Sequence, residues 1–360
     1  MSERLRVTFV SRKWPPAMGG METYSHALAH ALEPHAEVRK IVLPGHADGS
    51  VPTARELLAF GIKAGFKLVF AKDPAPITHV ADMASWPLAL CARIRCPSDR
   101  RVLSAHGTDV SYPLRGGLRG WIYGAYLRLG ALLLGPVSVI ANSTATAAEA
   151  RRLGFHETVV IPLASQATPL PKSQTGQTLL FSGRLIPRKG GSWFIQNVLP
   201  LLPDEITLDV AGTAWDEVEV ASLQHPRVRY LGRLDQHELF QAYADALSVI
   251  VPNLDMPNGE FEGFGLVAIE AAAAGGVVLA SRQGGLNEAV IDGQSGFLLP
   301  PADSAAWAEK IAEVASWTDE KRTKFTDSAK NICARQFNWD RVAADTVGVY
   351  EAPNSDRATR

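Results

Sequence analysis

The decisive stretch of the chain runs from Glu260 to Gly275 and has the sequence EFEGFGLVAIEAAAAG. A short apolar run at 248–252 precedes it and is typical of a buried strand. The Ala-rich segment 266–274 favours a helix, which glycine then ends. The glycines on either side of Phe264 therefore lie at a strand-to-helix turn, where backbone N–H groups are unpaired and carry partial positive charge.

Such a turn suits a phosphate or a sugar oxygen, because two glycines let a ligand approach the backbone closely. Glu262 precedes the predicted helix, and Glu270 lies eight residues further on, about two helical turns into it. Carboxylates accept hydrogen bonds from hydroxyl groups, so this pair can hold a sugar and a ribose. Two Glu residues at this spacing would, on their own, more simply be solvated charges on a helix surface.

The whole stretch resembles the Glu-x7-Glu signature of retaining glycosyltransferases of the GT-B fold, family 4. The matching positions are Glu262, Gly263, Phe264, Gly265, Leu266 and Glu270. The resemblance implies that Glu262 and the amides near Phe264 and Gly265 fix a donor sugar, and that Glu270 holds the ribose. It extends from about residue 7 to about residue 339 and is strongest in 178–300.

Composition indicates a globular protein with an uneven charge. The chain has 360 residues, 46% hydrophobic and 20% charged, which favours two domains with separate cores. Residues 1–175 carry 20 Lys and Arg against 12 Asp and Glu, a net +8, whereas the remainder is −9. We expect the basic half to meet an anionic surface or acceptor. Three cysteines without metal-like spacing favour reduced thiols in a cytoplasm, and no run is apolar enough for a spanning helix.

Strands and helices alternate along the chain, which predicts an α/β protein with parallel sheets. We predict N-terminal strands at 5–10, 38–43, 78–83, 101–105 and 137–141, with helices from about 21 and at 54–72, 85–94 and 116–134. After a Pro- and Ser-rich linker at 166–176, strands are predicted at 178–182, 206–211, 228–231, 248–251, 277–280 and 297–299. Helices are predicted between them at 190–201, 235–246, 266–274, 303–316 and 319–336.

The predicted architecture is GT-B: two Rossmann-like, doubly wound domains facing a central crevice, with ligands at the carboxyl ends of the strands. Residues 1–168 form the predicted acceptor-binding domain and residues 169–340 the predicted domain that binds the nucleotide-sugar donor. Residues 341–360 are expected to form a helix that returns to the first domain, followed by a frayed tail. Two segments depart from the family pattern, at 161–165 and in the polar loop 252–258.

A basic loop follows the first strand of the second half. It begins at Gly183, and Arg184 and Lys189 lie five residues apart ahead of a predicted helix, where both can hold a diphosphate. Basic loop residues are usually solvated, but the segment resembles the Gly-Arg-Leu-x-x-x-Lys-Gly loop of the family. The resemblance assigns Arg184 and Lys189 to the donor diphosphate, and we predict that Arg188 is a surface residue.

Two further candidates lie in the first half. Gly19 and Gly20 form a strand-to-helix turn whose N–H groups either bind the same diphosphate or make a plain tight turn. The family's Gly-Gly-x-Glu pattern, completed here by Glu22, favours the first interpretation, and the turn lacks the glycine spacing of a nicotinamide site. His106 ends a strand within His-Gly-Thr-Asp, and the resemblance places it against the donor sugar. Asp109 in the same segment is an alternative helix cap.

The resemblance implies a retaining hexosyltransferase that moves a hexose from a UDP- or GDP-linked sugar to a hydroxyl of a glycan or lipid-linked acceptor. Such an enzyme would serve cell-surface polysaccharide or glycolipid synthesis. We expect no cofactor and no metal, because Arg184 and Lys189 supply the positive charge, and no nucleic-acid partner. The alternatives are a nucleotide-sugar epimerase of the same fold and a non-catalytic, two-lobed sugar-binding protein.

Basic and aromatic residues also alternate in two predicted helices of the basic half. Segment 113–134 combines three arginines with Trp121 and two tyrosines, and segment 60–72 combines three lysines with phenylalanines. Such helices either lie in a lipid headgroup region or simply cover the sheet, with their charged ends in water. The glycines of 116–124 weaken the first helix. We predict a peripheral enzyme of the inner face of the membrane.

Overall fold

The computed structural model describes residues 4–17, 19–46, 50–172, 176–214 and 216–352, and it divides the chain into two compact units. The first comprises Met1–Leu163 with Trp339–Arg360, and the second comprises Ala164–Asn338. The predicted boundaries at 168/169 and 340/341 lie five and two residues beyond those of the structure. The predicted tail at 353–360 and part of the predicted linker, 173–175, fall outside the described residues.

The N-terminal unit is built on a six-stranded parallel sheet. Its strands are β1 (Leu5–Trp14), β2 (Ala36–Pro44), β3 (Ile77–Val80), β4 (Arg100–Ala105), β5 (Ser138–Ala141) and β6 (Thr158–Val160). Their order across the sheet is β2-β1-β3-β4-β5-β6, and every neighbouring pair is parallel. The helices are α1 (Gly20–Ala31), α2 (Ala54–Val69), α3 (Trp86–Arg95), α4 (Thr108–Ser111), α5 (Gly117–Leu134) and α6 (Thr144–Arg152).

The C-terminal unit repeats this design. Its strands are β7 (Thr178–Ser182), β8 (Thr207–Ala211), β9 (Val228–Gly232), β10 (Val249–Val251), β11 (Val278–Ser281) and β12 (Phe297–Leu299), in the order β12-β11-β10-β7-β8-β9. The helices are α7 (Gly191–Asn197), α8 (Glu217–Ser222), α9 (Gln236–Asp245), α10 (Leu266–Ala274), α11 (Leu286–Ala289), α12 (Ser304–Ala315) and α13 (Asp319–Gln336). A last helix, α14 (Trp339–Glu351), belongs to the N-terminal unit.

The local sequence explains most of these bounds. Strands of a parallel sheet are covered on both faces, and the apolar residues of β10 and β11 are accordingly buried. Helix α2 begins at a capping box of Thr53 and Glu56, and α10 ends at Gly275, whose φ of 106° suits glycine. The predicted helix at 190–201 is divided, because Pro200 lies in a separate 3-10 turn that follows α7.

The glycines of segment 116–124 were expected to weaken helix α5, but the structure shows the helix intact. The helix is continuous over 18 residues, and Gly120, Gly124 and Gly130 are buried. A Cβ atom at Gly130 would lie 2.8 Å from the ring of Trp86 on α3, so this glycine permits close helix packing. These glycines therefore face the protein together with Leu127 and Leu134, whereas Leu118, Trp121 and Leu132 face outward. No helix within the described ranges is long and apolar enough to cross a bilayer.

Candidate active site

The turn before α10 requires glycine at position 265. Gly265 is the N-cap residue, with φ 98° and ψ 54°, and a Cβ there would lie 2.4 Å from Cδ2 of Leu286. No side chain of the described residues caps this helix end, and the N–H of Ala268 donates to the oxygen of Gly265 at 2.9 Å, which leaves the N–H groups ahead of it to a ligand. Leu266 opens the helix. The side chain of Phe264 is buried and its ring packs edge-on against Phe337, which leaves only its backbone for a ligand.

The turn after β11 packs against the turn that carries Glu262. The N–H of Gly285, after β11, donates to the carbonyl oxygen of Glu262 at 2.8 Å. A Cβ at Gly285 would lie 2.3 Å from the carbonyl oxygen of Gly263, so any other residue would push the two turns apart. The turn after β11 thus fixes the backbone that carries Glu262.

The carboxylate of Glu262 is the centre of the site. Its Oε2 atom accepts hydrogen bonds from Lys189 Nζ at 2.6 Å, Arg188 Nη1 at 2.7 Å and Asn253 Nδ2 at 2.8 Å. Burial alone would raise the pKa of this carboxyl, but the charges of Lys189 and Arg188 outweigh it and hold the pKa well below its usual range. The other oxygen, Oε1, accepts no hydrogen bond from the described residues and remains available to a sugar hydroxyl.

Arg188 was predicted to be a surface residue, and this prediction is wrong. Its side chain is only 9% exposed, and that of Lys189 is 12% exposed. Pro187–Lys189 forms a 3-10 turn that ends at Gly190. The carbonyl oxygen of Arg188 accepts the N–H of Leu254, in the loop after β10, at 3.0 Å. This tight turn directs both adjacent basic side chains toward Glu262.

The loop between β7 and α7 therefore concentrates positive charge. Burial lowers the pKa of the Lys189 ammonium, Glu262 opposes that effect, and the charges of Arg188 and Arg184 lower it further. Arg184 is exposed and lies within electrostatic reach of Lys189. Gly183, with φ 145°, follows β7 and precedes Arg184. The N–H of Gly183 donates to the carbonyl oxygen of Ala211 at 2.9 Å.

Asn253 is a site residue that the sequence prediction missed. It is fully buried directly after β10, and its amide group donates to Glu262 because a carboxylate oxygen can only accept. Its Oδ1 atom is buried without a hydrogen-bond partner among the described residues. One signal was present in the sequence: a polar residue directly after a buried strand, in a loop that departs from the family pattern.

Glu270 lies on α10, eight residues after Glu262, and the helix bounds agree with the predicted 266–274. Burial raises the pKa of its carboxyl to about 7. Burial raises the pKa of the Tyr243 phenol, and the nearby charge of Glu270 raises it further. The carboxyl of Glu270 forms no hydrogen bond or ion pair within the described part of the chain, which suits a group that accepts hydrogen bonds from a ligand diol.

The remaining candidates lie in the N-terminal unit. Gly19 is the N-cap residue of α1, Gly20 is its first residue, and no side chain caps the helix. A Cβ at Gly19 would lie 2.6 Å from Oε2 of Glu22, whose other oxygen pairs with Lys13 at 3.1 Å. That carboxylate is the flexible end of a side chain, so packing alone does not require glycine at position 19, and its place at the N-terminus of α1 is compatible with an anion.

His106 follows β4 and is fixed by three contacts. Its Nε2 donates to the carbonyl oxygen of Ala81 at 2.8 Å, its ring packs edge-on against Tyr24 at 4.4 Å, and its backbone N–H donates to Asp109 Oδ1. Nδ1 therefore carries no proton in neutral His106. The suggested capping role of Asp109 is wrong, because Gly107 is the N-cap of α4 and the Asp109 carboxylate instead binds the backbone of His106 and Met83.

Comparison with known proteins agrees with this architecture. HepE of Anabaena, solved in complex with UDP and glucose, matches with a TM-score of 0.73 at 18% identity, over 97% of this chain and 100% of that chain. The sucrose-phosphate synthase of Thermosynechococcus elongatus matches with a TM-score of 0.71 at 22% identity, over 96% and 98%. The predicted GT-B fold, with its two parallel six-stranded sheets, is confirmed.

Sequence comparison narrows the class. Residues 176–316 match the family model of the glycosyl transferases group 1. The glycogen synthase of Mycobacterium tuberculosis is 28% identical over 97% of this chain and 95% of its own length. The D-inositol 3-phosphate glycosyltransferase of Salinispora tropica is 32% identical over 55% of this chain and 42% of its own. The resemblance to the group 1 glycosyltransferases that the sequence motifs indicated is thus confirmed over residues 176–316.

Proposed function

We propose that the protein transfers a hexose from a UDP- or GDP-linked donor to a hydroxyl of a glycan or lipid-linked acceptor, with retention of anomeric configuration. The single observation that carries the proposal is Glu262, anchored by two buried cations beside the uncapped start of α10. HepE, which shares the fold, has been solved with UDP and glucose and with UDP-glucose, which supports a nucleotide-sugar donor.

Each side chain takes one part of the donor in this proposal. Arg184 and Lys189 hold the diphosphate, and Gly183 lets it approach the end of β7. Glu262 Oε1 accepts a sugar hydroxyl, and Glu270 accepts the two ribose hydroxyls. Further contacts come from the backbone N–H groups of Gly263, Phe264, Gly265 and Leu266 to the sugar, from Gly19 and Gly20 to the phosphate, and from His106 to the sugar.

The difficult step is departure of the nucleoside diphosphate. The bond from the anomeric carbon to the phosphate oxygen breaks, and negative charge develops on the leaving phosphate. Arg184 and Lys189 stabilise that charge without reorganisation. The acceptor oxygen then bonds to the same face of the anomeric carbon, and its proton passes to the leaving phosphate oxygen. Glu262 is a poor nucleophile for a two-step route, because three donors on Oε2 withdraw charge from the carboxylate and Oε1 is assigned to a sugar hydroxyl.

We further propose that transfer needs no cofactor and no metal. A bound Mg²⁺ would serve to neutralise the diphosphate, and the cations of the loop between β7 and α7 already supply positive charge at that position. The low pKa of Glu262 and the buried ammonium of Lys189 support a site organised around protein cations.

The acceptor is proposed to be presented at an anionic membrane, with the protein bound peripherally to the inner face. Helices α2, α3 and α5 carry one acidic residue, Glu56, against seven Lys and Arg. Large apolar side chains project from the same helices, including Phe66 at 64% exposure, Trp121 at 69% and Leu132 at 77%. An apolar surface interspersed with basic residues suits a lipid headgroup region. The three free cysteines support a cytoplasmic setting.

A transfer assay tests the proposed function. UDP- and GDP-hexoses are incubated with the protein and a lipid extract or a soluble glycan, and both donor consumption and labelled acceptor are measured. Glu262→Ala should lower product formation by about 10²–10³, while the exposed Glu309→Gln on α12 leaves it unchanged. Conversion of the donor sugar without consumption of acceptor would indicate the epimerase instead. Absence of any donor turnover would contradict the proposed function.

A further inference from the structure

Two buried cations share one carboxylate oxygen, and only one of them has a part in the donor contacts described above. Lys189 and Arg188 both donate to Glu262 Oε2, at 2.6 and 2.7 Å. The three groups together carry a net charge of +1, in a place where each side chain is at most 12% exposed. A buried charge is tolerated only when an opposite charge and hydrogen bonds compensate it. The net charge of these three side chains therefore determines how strongly the site attracts an anion.

The two cations are not equivalent. The guanidinium of Arg188 is always charged and lies on a backbone segment that hydrogen-bonds to Leu254. Lys189 is a point charge on a flexible stem, and its pKa is already lowered by burial. If Lys189 alone balanced Glu262, the pair would be neutral and would offer a phosphate no net attraction.

We propose that Arg188 is a positioning residue for the donor site. It keeps Glu262 ionised and oriented with Oε1 toward the donor sugar, and it leaves the charge of Lys189 available to the donor diphosphate. Asn253 assists by donating to the same Oε2 atom. This inference rests on the proposed nucleotide-sugar donor, and it adds a residue to which neither the motif nor the family resemblance assigned a role.

Charge counting gives a test that needs no transfer activity. The wild-type cluster of Arg188, Lys189 and Glu262 has a net charge of +1. Arg188→Gln makes it 0, Glu262→Gln makes it +2, and the double variant returns it to +1. At partly buried sites one charge changes the attraction for a diphosphate by about tenfold in Kd. UDP and GDP are therefore titrated calorimetrically into the four proteins.

Glu262→Gln should bind the nucleotide most tightly and Arg188→Gln most weakly. Wild type and the double variant should have equal affinity between these two, about tenfold from each. Arg188→Lys restores the charge and should bind within about threefold of wild type. In the transfer assay, Arg188→Gln should also shift the acid limb of the pH profile upward, because the pKa of Glu262 rises when one cation is lost. Arg335→Gln on the exposed end of α13 is the matched control.

Several results would overturn the inference. One is unchanged UDP affinity in Arg188→Gln; another is a double variant as weak as Arg188→Gln, which would indicate a structural role. If Arg188→Gln fails to fold by circular dichroism, Glu262→Gln at a net charge of +2 is still compared with Arg188→Lys and wild type at +1, and equal nucleotide affinity across these three proteins would overturn the inference. Failure of wild type to bind either nucleotide would instead contradict the proposed function, so the two failures are distinguishable.

Discussion

Replacing Glu270 by Gln should stabilise the protein at alkaline pH while impairing donor binding. The carboxyl of Glu270, on α10, accepts no hydrogen bond from the described residues. Burial raises its pKa from an ordinary value of 4.5 to about 7. The folded state therefore disfavours the ionised form, which is the form that accepts hydrogen bonds from a ribose. Glutamine has nearly the same shape and never ionises.

The sign of the effect follows from proton binding in the two states. Below pH 4.5 both the folded and the unfolded chain hold the proton, and Glu270 carries no penalty. Between pH 4.5 and 7 the unfolded chain releases the proton first, so the free energy of unfolding falls as pH rises. Above pH 7 both states are ionised and the penalty is constant. From 4.5 to about 7 it amounts to about 3 kcal/mol, at about 1.4 kcal/mol for each pH unit.

The assay is thermal unfolding of wild type and Glu270→Gln at pH 5 and pH 8.5. At pH 8.5 the variant should melt about 5–10 °C higher, since about 3 kcal/mol corresponds to such a shift in a unit of this size. At pH 5 the difference should fall below about 1 kcal/mol. Glu309→Gln on α12, which removes an exposed carboxyl from the same unit, should show no pH-dependent difference.

The same two proteins are then compared for nucleotide binding. Glu270→Gln should lose about tenfold in affinity for the nucleoside diphosphate that wild type binds, because an amide oxygen is a weaker acceptor than a carboxylate. A variant that is destabilised equally at both pH values would refute the argument about burial. A variant that gains stability but keeps full nucleotide affinity would refute the assignment of Glu270 to the ribose.

Three further predictions concern the donor site and the membrane. Glu262→Ala and Lys189→Ala should each lower kcat/KM by about 10²–10³ with the far-ultraviolet spectrum unchanged, the usual cost of one electrostatic contact to a transition state; near-normal turnover in either would contradict the site. Transfer should persist in excess EDTA, and loss of activity that Mg²⁺ or Mn²⁺ restores would show that a metal takes part. The protein should float with anionic liposomes at low salt and be released at high salt, and Trp121→Ser should weaken this binding, whereas equal behaviour with neutral liposomes would refute the electrostatic part.

The sequence predicted the second sheet well because most of its strands are short, mainly apolar runs. The bounds of β7 and β12 agree with the prediction to the residue, and those of β10 and β11 differ by one. It missed β6, which has only three residues, and α8, whose first four residues, Glu217 to Val220, alternate between charged and apolar as a strand would. In α8 the cap at Asp216 decides for helix, since its carboxylate accepts the N–H groups of Val218 and Glu219.

The donor site was predictable in its residues but not in its contacts. The motif identified Glu262 and Lys189, and the structure brings them to 2.6 Å. Nothing in a linear sequence distinguishes Arg188 from a solvated neighbour, because the direction of its side chain depends on a 3-10 turn that closes only against the loop after β10. Asn253 was missed for the same reason, since its role consists of one hydrogen bond across that contact.

Helix α5 shows how packing can reverse an inference from propensity. Each interior glycine costs a helix about 1 kcal/mol relative to alanine, which argues against a helix with glycine at 120, 124 and 130. Here the glycines form the contact surface itself, since a Cβ at Gly120 would lie 3.0 Å from the oxygen of Pro113 and one at Gly130 still closer to Trp86. Packing through small residues places Leu118, Trp121 and Leu132 on the opposite face, where a core helix would carry polar groups. That arrangement leaves apolar area in water, a cost that docking to a lipid surface would remove.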